Sequence, residues 1–193
     1  GEHIRTGKFS DTANWAEAEL NERGQPVRIP AKDHHISGAL VSSANQGAAN
    51  WPPPSYSPDY GLFYVTVAES WAMYYQAELD PRGAMGLGGK EELPVGSRSY
   101  LRAIDPTTAE VRWSVEYPRG GGLANGVLTT AGGLLFAGDR AGNIVARDPA
   151  NGRPLWHSRI GEQVSNAPQT FMLDGDQYVL IAADDMVYAF RLY

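Results

Sequence analysis

The sequence contains no cysteine. Disulfide scaffolds, thiolate metal sites and cysteine nucleophiles are therefore excluded for these 193 residues. Basic side chains are few and scattered: 16 Lys and Arg face 22 Asp and Glu, for a formal charge of −6. No basic run exceeds a pair, so a nucleic-acid backbone finds no electrostatic footprint. No apolar stretch approaches the ~20 residues of a membrane span. Gly1-Glu2-His3-Ile4-Arg5 does not read as a secretory signal. Sustained helical periodicity is also lacking, and only Thr12 to Glu22, with Ala16, Ala18 and Leu20, fits a helical turn or two.

What is plentiful is turn chemistry: 22 Gly and 13 Pro stand beside a near-normal 42% of hydrophobic residues. Length alone suggests one self-contained domain, but an internal repeat argues otherwise. Tyr100-Leu101-Arg102-Ala103-Ile104-Asp105-Pro106 reappears as Asn143-Ile144-Val145-Ala146-Arg147-Asp148-Pro149, 43 residues later. Trp113 and Trp156 keep the same spacing, and a third copy falls on Met186-Val187-Tyr188-Ala189-Phe190. Within one unit, Leu134 to Ala137, Asn143 to Arg147 and Arg153 to Ser158 read as short strands. Gly138 to Gly142 and Asp148-Pro149-Ala150-Asn151-Gly152 read as the turns between them. A period of ~40–45 residues filled by short strands is the mark of a propeller blade. Ser57 to Val65 supplies an earlier copy, but it stands 29 residues beyond one period from its mate. The excess is read as a loop insertion at about 68–97.

The expectation is thus an all-β, partial β-propeller of about three four-stranded blades. Residues 1–37 form a lead-in and incomplete blade, and 38–193 form the blades. The chain stops after the third central strand without a third Trp, as expected for the C-terminal part of a larger ring.

These motifs carry a family resemblance. Ala103-Ile104-Asp105-Pro106…Trp113 and Ala146-Arg147-Asp148-Pro149-Ala150-Asn151-Gly152-Arg153-Pro154-Leu155-Trp156 resemble the tryptophan-docking motif of eight-bladed quinoprotein dehydrogenases. Gly47-Ala48-Ala49-Asn50-Trp51-Pro52-Pro53-Pro54-Ser55-Tyr56-Ser57-Pro58 resembles the Asn-Trp segment of alcohol dehydrogenases that use pyrroloquinoline quinone (PQQ). Gly126 to Phe136 resembles their penultimate-blade strand, and Trp15 with Gly24-Gln25-Pro26-Val27 their lead-in. The resemblance covers almost the whole chain and implies the family's C-terminal third.

It also implies roles. Asn50 and Trp51 would stand at the quinone's edge, the amide as donor and the indole as donor and apolar wall. The start of the Gly126-Val127 strand would approach it through its backbone, with adjacent Asn125 and Leu123 as weaker candidates. Read locally, Trp51 is core packing and Asn50 an Asx turn; together in Asn-Trp-Pro-Pro-Pro they favour the cofactor. Trp113 and Trp156 are structural. The family's Ca²⁺ or lanthanide ligands, its catalytic Asp and its vicinal cysteines all lie upstream in the family's order. No catalytic residue and no metal ligand is therefore assigned here, and the isolated chain is expected to be inactive toward alcohols or sugars. Periplasmic residence follows from the resemblance alone.

Other constellations are weaker. Neighbours such as His34-His35 cannot chelate one metal from a strand, and Asp184-Asp185 reads as a turn. Gly120-Gly121-Gly122 precedes a strand, so it is no phosphate loop. A non-catalytic propeller acting as a protein-interaction scaffold competes with the enzyme assignment, and a WD-type repeat is a distant third. Open blade edges predict self-association.

Overall fold

Aspartate turns and left-handed glycines cut the chain into short antiparallel strands. A computed structural model describes residues 1–33, 37–76, 90–118 and 125–191. A hairpin of β1 (Ala16–Leu20) and β2 (Pro26–Arg28) comes first, followed by a single 3-10 turn at Pro30–Lys32. Thr12 to Glu22 is therefore not helical, as its alanine and leucine spacing had suggested. Asn21 Oδ1 accepts the N–H groups of Arg23 and Gln25, and Gly24 sits at φ +72°, which turns the chain back on itself.

The blades follow. β3 (Ala39–Ser42) and β4 (Ser55–Ser57) both pair with β5 (Leu62–Gln76), which continues through β6 (Lys90–Ile104) to β7 (Val111–Glu116). The second blade is the four-stranded meander β8 (Val127–Thr129), β9 (Leu135–Gly138), β10 (Asn143–Arg147) and β11 (Pro154–Arg159). A third sheet has three strands among the described residues: β12 (Gln169–Leu173), β13 (Asp176–Ala183) and β14 (Met186–Arg191). The repeated strands are thus β6, β10 and β14, as the 43-residue period requires. Asp184-Asp185 forms the hairpin turn between β13 and β14, with Asp184 at φ +51°.

The insertion at 68–97 departs from expectation. It is not a loop but an arm, because β5 and β6 stay paired outward from Phe63↔Ile104 as far as Gln76↔Lys90. Runs of Val, Ala, Trp and Tyr in β5 suit a pleated surface, and β3 pairs along the arm from Ser42↔Trp71 to Ala39↔Tyr74.

Period-two alternation deals successive side chains to opposite seams. Leu62, Tyr64, Leu101 and Ala103 of the first blade pack against Leu135 and Ala137 of the second. Phe136, Ile144 and Ala146 point the other way, onto Ile181 and Ala183 of the third. The first blade's outer face is covered by Phe9 from the lead-in and by Ala48 and Ala49 from the segment before β4. A charged cluster pins that cover. Arg102, 2% exposed, bonds Glu69 at 3.0 Å, Asp11 at 2.7 Å and the carbonyl of Phe9. Removing Arg102 would leave the buried Glu69 carboxylate without its cation, a loss of ~3–5 kcal/mol in such settings.

The two repeated tryptophans are not equivalent. Trp113 Nε1 donates to Pro149 O at 3.0 Å across the first seam, and its ring lies on Gly152. A Cβ at Gly152 would stand 2.9 Å from that ring, and φ is +75°. Trp156 instead meets Phe190 edge-on at 5.5 Å and remains 43% exposed. Trp113→Ala is therefore expected to cost about 2–3 kcal/mol, somewhat less than truncating a fully buried Trp. Trp156→Ala should cost clearly less, and Gly152→Ala about 1–3 kcal/mol from backbone strain and ring contact. Urea midpoints of the three variants check this order.

Candidate functional site

The inner edges of the blades converge. Ser55 Oγ of β4 lies 2.7 Å from Thr129 Oγ1 of β8, and Thr129 N–H donates to Ser55 Oγ at 3.1 Å. The segments that enter the innermost strands therefore meet at one end of the blades. Gly126 is where they touch. A Cβ there would lie 2.5 Å from Ala167 Cβ and 2.7 Å from Pro53 Cδ, and Val127 N–H donates to Pro53 O at 3.0 Å. Chain from three blades thus packs on a residue without a side chain, the close approach that glycine permits. Because Ser55 pairs with Tyr64, the arm of β5 rises from this same end.

The sequence-derived residues lie on two of these entry segments, Asn50 and Trp51 ahead of Pro53 and Asn125 to Val127 around Gly126. Asn50 is exposed, and its Nδ2 donates to Gln46 O at 2.9 Å, so the amide is held by its own turn. Trp51 is 67% exposed, far from the core packing that local reading favours. Asn125 is 3% exposed, its Nδ2 donates to Gly138 O at 2.8 Å, and its Oδ1 is buried without a partner among the described residues. Gly126 and Val127 link the two clusters through Pro53. Among the described residues no hydrogen bond joins Asn50 or Trp51 directly to Asn125. Leu123, Gly120-Gly121-Gly122 and His34-His35 lie outside the described residues. Among those described, no three His, Asp or Glu side chains are grouped to hold a metal ion, and no helix is long and apolar enough to cross a membrane.

Together these residues offer a set of polar groups and one exposed ring. An exposed indole supplies a wall and an N–H, Asn50 an amide, and Asn125 a buried acceptor that has no partner among the described residues. A larger cleft of about 480 Å³, lined by Leu134, Phe136, Trp156, Val179 and Phe190, lies between the second and third blades. It includes Thr130 and Gly132 of the β8–β9 turn, at the opposite end, and plays no part in this site.

Comparisons with known proteins follow this geometry. Residues 97–192 match the family model described as outer membrane protein assembly factor BamB. Quinoprotein alcohol dehydrogenase PedH of Pseudomonas putida is 33% identical over 95% of this chain and 32% of its own length. The 1-butanol dehydrogenase (quinone) of Thauera butanivorans is 36% identical over 90% of this chain and 29% of its own. The crystal structure of quinohemoprotein alcohol dehydrogenase from Comamonas testosteroni matches with a TM-score of 0.83 at 30% identity, over 95% of this chain and 29% of that one. The chain belongs to the quinoprotein propeller family. It spans roughly a third of the length of these relatives. A europium-containing methanol dehydrogenase shares the quinoprotein fold as well, with a TM-score of 0.77 and 26% identity.

Sequence reasoning passed over the Arg102–Glu69–Asp11 cluster and the phenols of the first seam. Tyr64 Oη donates to Pro149 O at 3.0 Å, the same carbonyl that Trp113 uses. Burial first, then the nearby Tyr60 and Asp148, push Tyr64 up to about 12. Burial likewise pushes Tyr117 up to about 12, against the opposing pull of the Thr66 hydroxyl. Both phenols keep their protons in the native state at a pH where the unfolded chain, near the ordinary 10.0, loses them. Their contribution to stability is whole below pH 10 and is lost as pH rises through about 12. Chemical denaturation between pH 9 and pH 12 should show that alkaline fall, and Tyr117→Phe should make it shallower.

Proposed function

We propose that this chain forms C-terminal blades of a PQQ-dependent dehydrogenase that oxidises alcohols or sugars in the periplasm. Residues 38–193 carry the blades and 1–37 a lead-in. The observation that carries the proposal is the meeting of three entry segments at Gly126, one of them the Pro53 segment that follows Asn50 and Trp51 and another the segment that holds Asn125. When bound, PQQ supplies the electron-accepting quinone for carbinol oxidation, assisted in the family by Ca²⁺ or a lanthanide. This chain's residues bind and orient. Trp51 offers an indole face and its N–H, and Asn50, braced on Gln46 O, offers the rest of its amide. Asn125 Oδ1, unpartnered among the described residues, is an acceptor open to a donor on the interior side. Gly126 keeps the wall thin, and Val127, whose N–H is taken by Pro53 O, shapes it.

The family's general base and metal ligands are not among these residues, so the 193-residue chain holds a quinone edge without turning over alcohol. Tryptophan quenching by PQQ is expected to saturate, and Trp51→Ala should weaken it about tenfold. An unchanged affinity in Trp51→Ala overturns the site, and dye reduction by the chain with PQQ, Ca²⁺ and alcohol overturns its inactivity.

The BamB-type match over 97–192 favours a second reading, a non-catalytic interaction scaffold. That match begins after Asn50-Trp51, whereas the quinoprotein likeness runs over 95% of the chain and includes them. In either case the third sheet leaves β14 with an unpaired side among the described residues, where Val187 is 70% and Met186 52% exposed. Such an edge pairs readily with a copy of itself. Sedimentation at tens of micromolar should show dimers or larger species, and a strictly monomeric boundary would refute self-association.

A further inference from the structure

At the root of the arm lies a pocket that the quinone reading leaves unused. It has a volume of about 300 Å³, at the small end of ligand sites. One wall is the turn Ala44–Gly47, and the other is the base of the β5–β6 hairpin. The turn is firmly built. Ala44 N–H donates to Ser70 O and Ser70 Oγ, both at 3.2 Å, and Gly47 N–H closes onto Ala44 O at 2.8 Å. One residue further on, Ala48 O accepts Ala68 N–H at 2.8 Å. The cavity therefore stands on backbone bonds and does not depend on a ligand to form.

Its lining has a definite chemistry: Asn45, Gln46, Ser70, Ser97, Trp71 and Glu92. Among the described residues the side chains of Asn45, Gln46 and Ser97 make no hydrogen bond, nor does the indole N–H of Trp71. They offer amide donors and acceptors, a hydroxyl and a ring face to whatever enters. Glu92 is the one charged group. The Tyr74 hydroxyl donates to it, and burial first, then Glu92, push that phenol up to about 12. With its carboxylate so engaged and no cationic side chain among the described lining residues, the pocket repels anions. With one carboxylate it is too poor in ligands for a divalent cation.

We propose that this pocket binds a neutral polyhydroxylated molecule, a sugar or sugar alcohol. Its C–H face lies on the Trp71 indole while its hydroxyls bond Asn45, Gln46, Ser97 and Glu92. The site goes beyond the quinone assignment and requires no cofactor. It is coupled to that assignment by one bond, because the turn carbonyl that Asn50 Nδ2 reaches belongs to Gln46.

Saturation-transfer NMR and calorimetry on the 193-residue chain without PQQ test the proposal, using glucose and sorbitol beside 1-butanol, butylammonium, gluconate and Ca²⁺. Glucose or sorbitol should bind saturably in the millimolar range, at least tenfold better than the other four. Trp71→Ala should abolish the signal, and Gln46→Ala and Ser97→Val should weaken it three- to tenfold with an unchanged circular dichroism spectrum. Absence of saturable polyol binding overturns the site, as does tighter binding of butylammonium or Ca²⁺. Should Trp71→Ala not fold, the exposed positions decide, and full polyol affinity in both Gln46→Ala and Ser97→Val overturns it. A PQQ titration on the same sample reads the quinone assignment separately, so each can fail alone.

Discussion

One carbonyl organises the seam between the first two blades. Pro149 O accepts Trp113 Nε1 and Tyr64 Oη, both from the preceding blade and each at 3.0 Å. The acceptor belongs to a proline, whose ring fixes φ, in a turn that Asp148 closes by accepting Ala150 N–H. Gly152 then clears the space for the indole. Two donors, a stiff turn and a missing Cβ thus set how one sheet leans on the next. Once that lean is set, Leu62, Tyr64 and Leu101 face Leu135 and Ala137, and apolar burial does the rest.

The candidate site follows from the same lean. Innermost strands are short, three residues in β4 and in β8, so their entry segments come together only if the sheets are correctly angled. Gly126 records the outcome, with Pro53 and Ala167 both nearer than a Cβ would allow. Stability and binding therefore share one geometry. The outer face of the first blade is handled differently, by a lead-in pinned through the buried Arg102 guanidinium. Specific bonds are added to apolar packing there, at the cost of dependence on the buried ion pair.

Legibility in the sequence varied with range. The strand repeat was open to view because Asp-Pro turns and alternating apolar positions are local, and β6, β10 and β14 lie where the period puts them. The segment at Thr12 to Glu22 misled, because alanine and leucine at even spacing serve a strand as well as a helix. The Asn21 to Gly24 turn decided between them. The form of the insertion was not legible, since an arm and a loop differ only in whether the two halves find each other. Asn50 and Trp51 were visible as a motif. Their exposure, and the burial of Asn125 with its unpartnered oxygen, were not.

The sequence by itself determined the unit: a 43-residue blade, all-β, with a docking tryptophan and a turn to receive it. These are contacts between neighbours in the chain, or between repeats that share one pattern. Only the tertiary structure decided which tryptophan is docked, what lies over the first blade, and where the arm points. Arg102 and Asp11 are 91 positions apart, and Tyr64 and Pro149 are 85. No local pattern encodes such partners, because each is satisfied only after the sheets have packed.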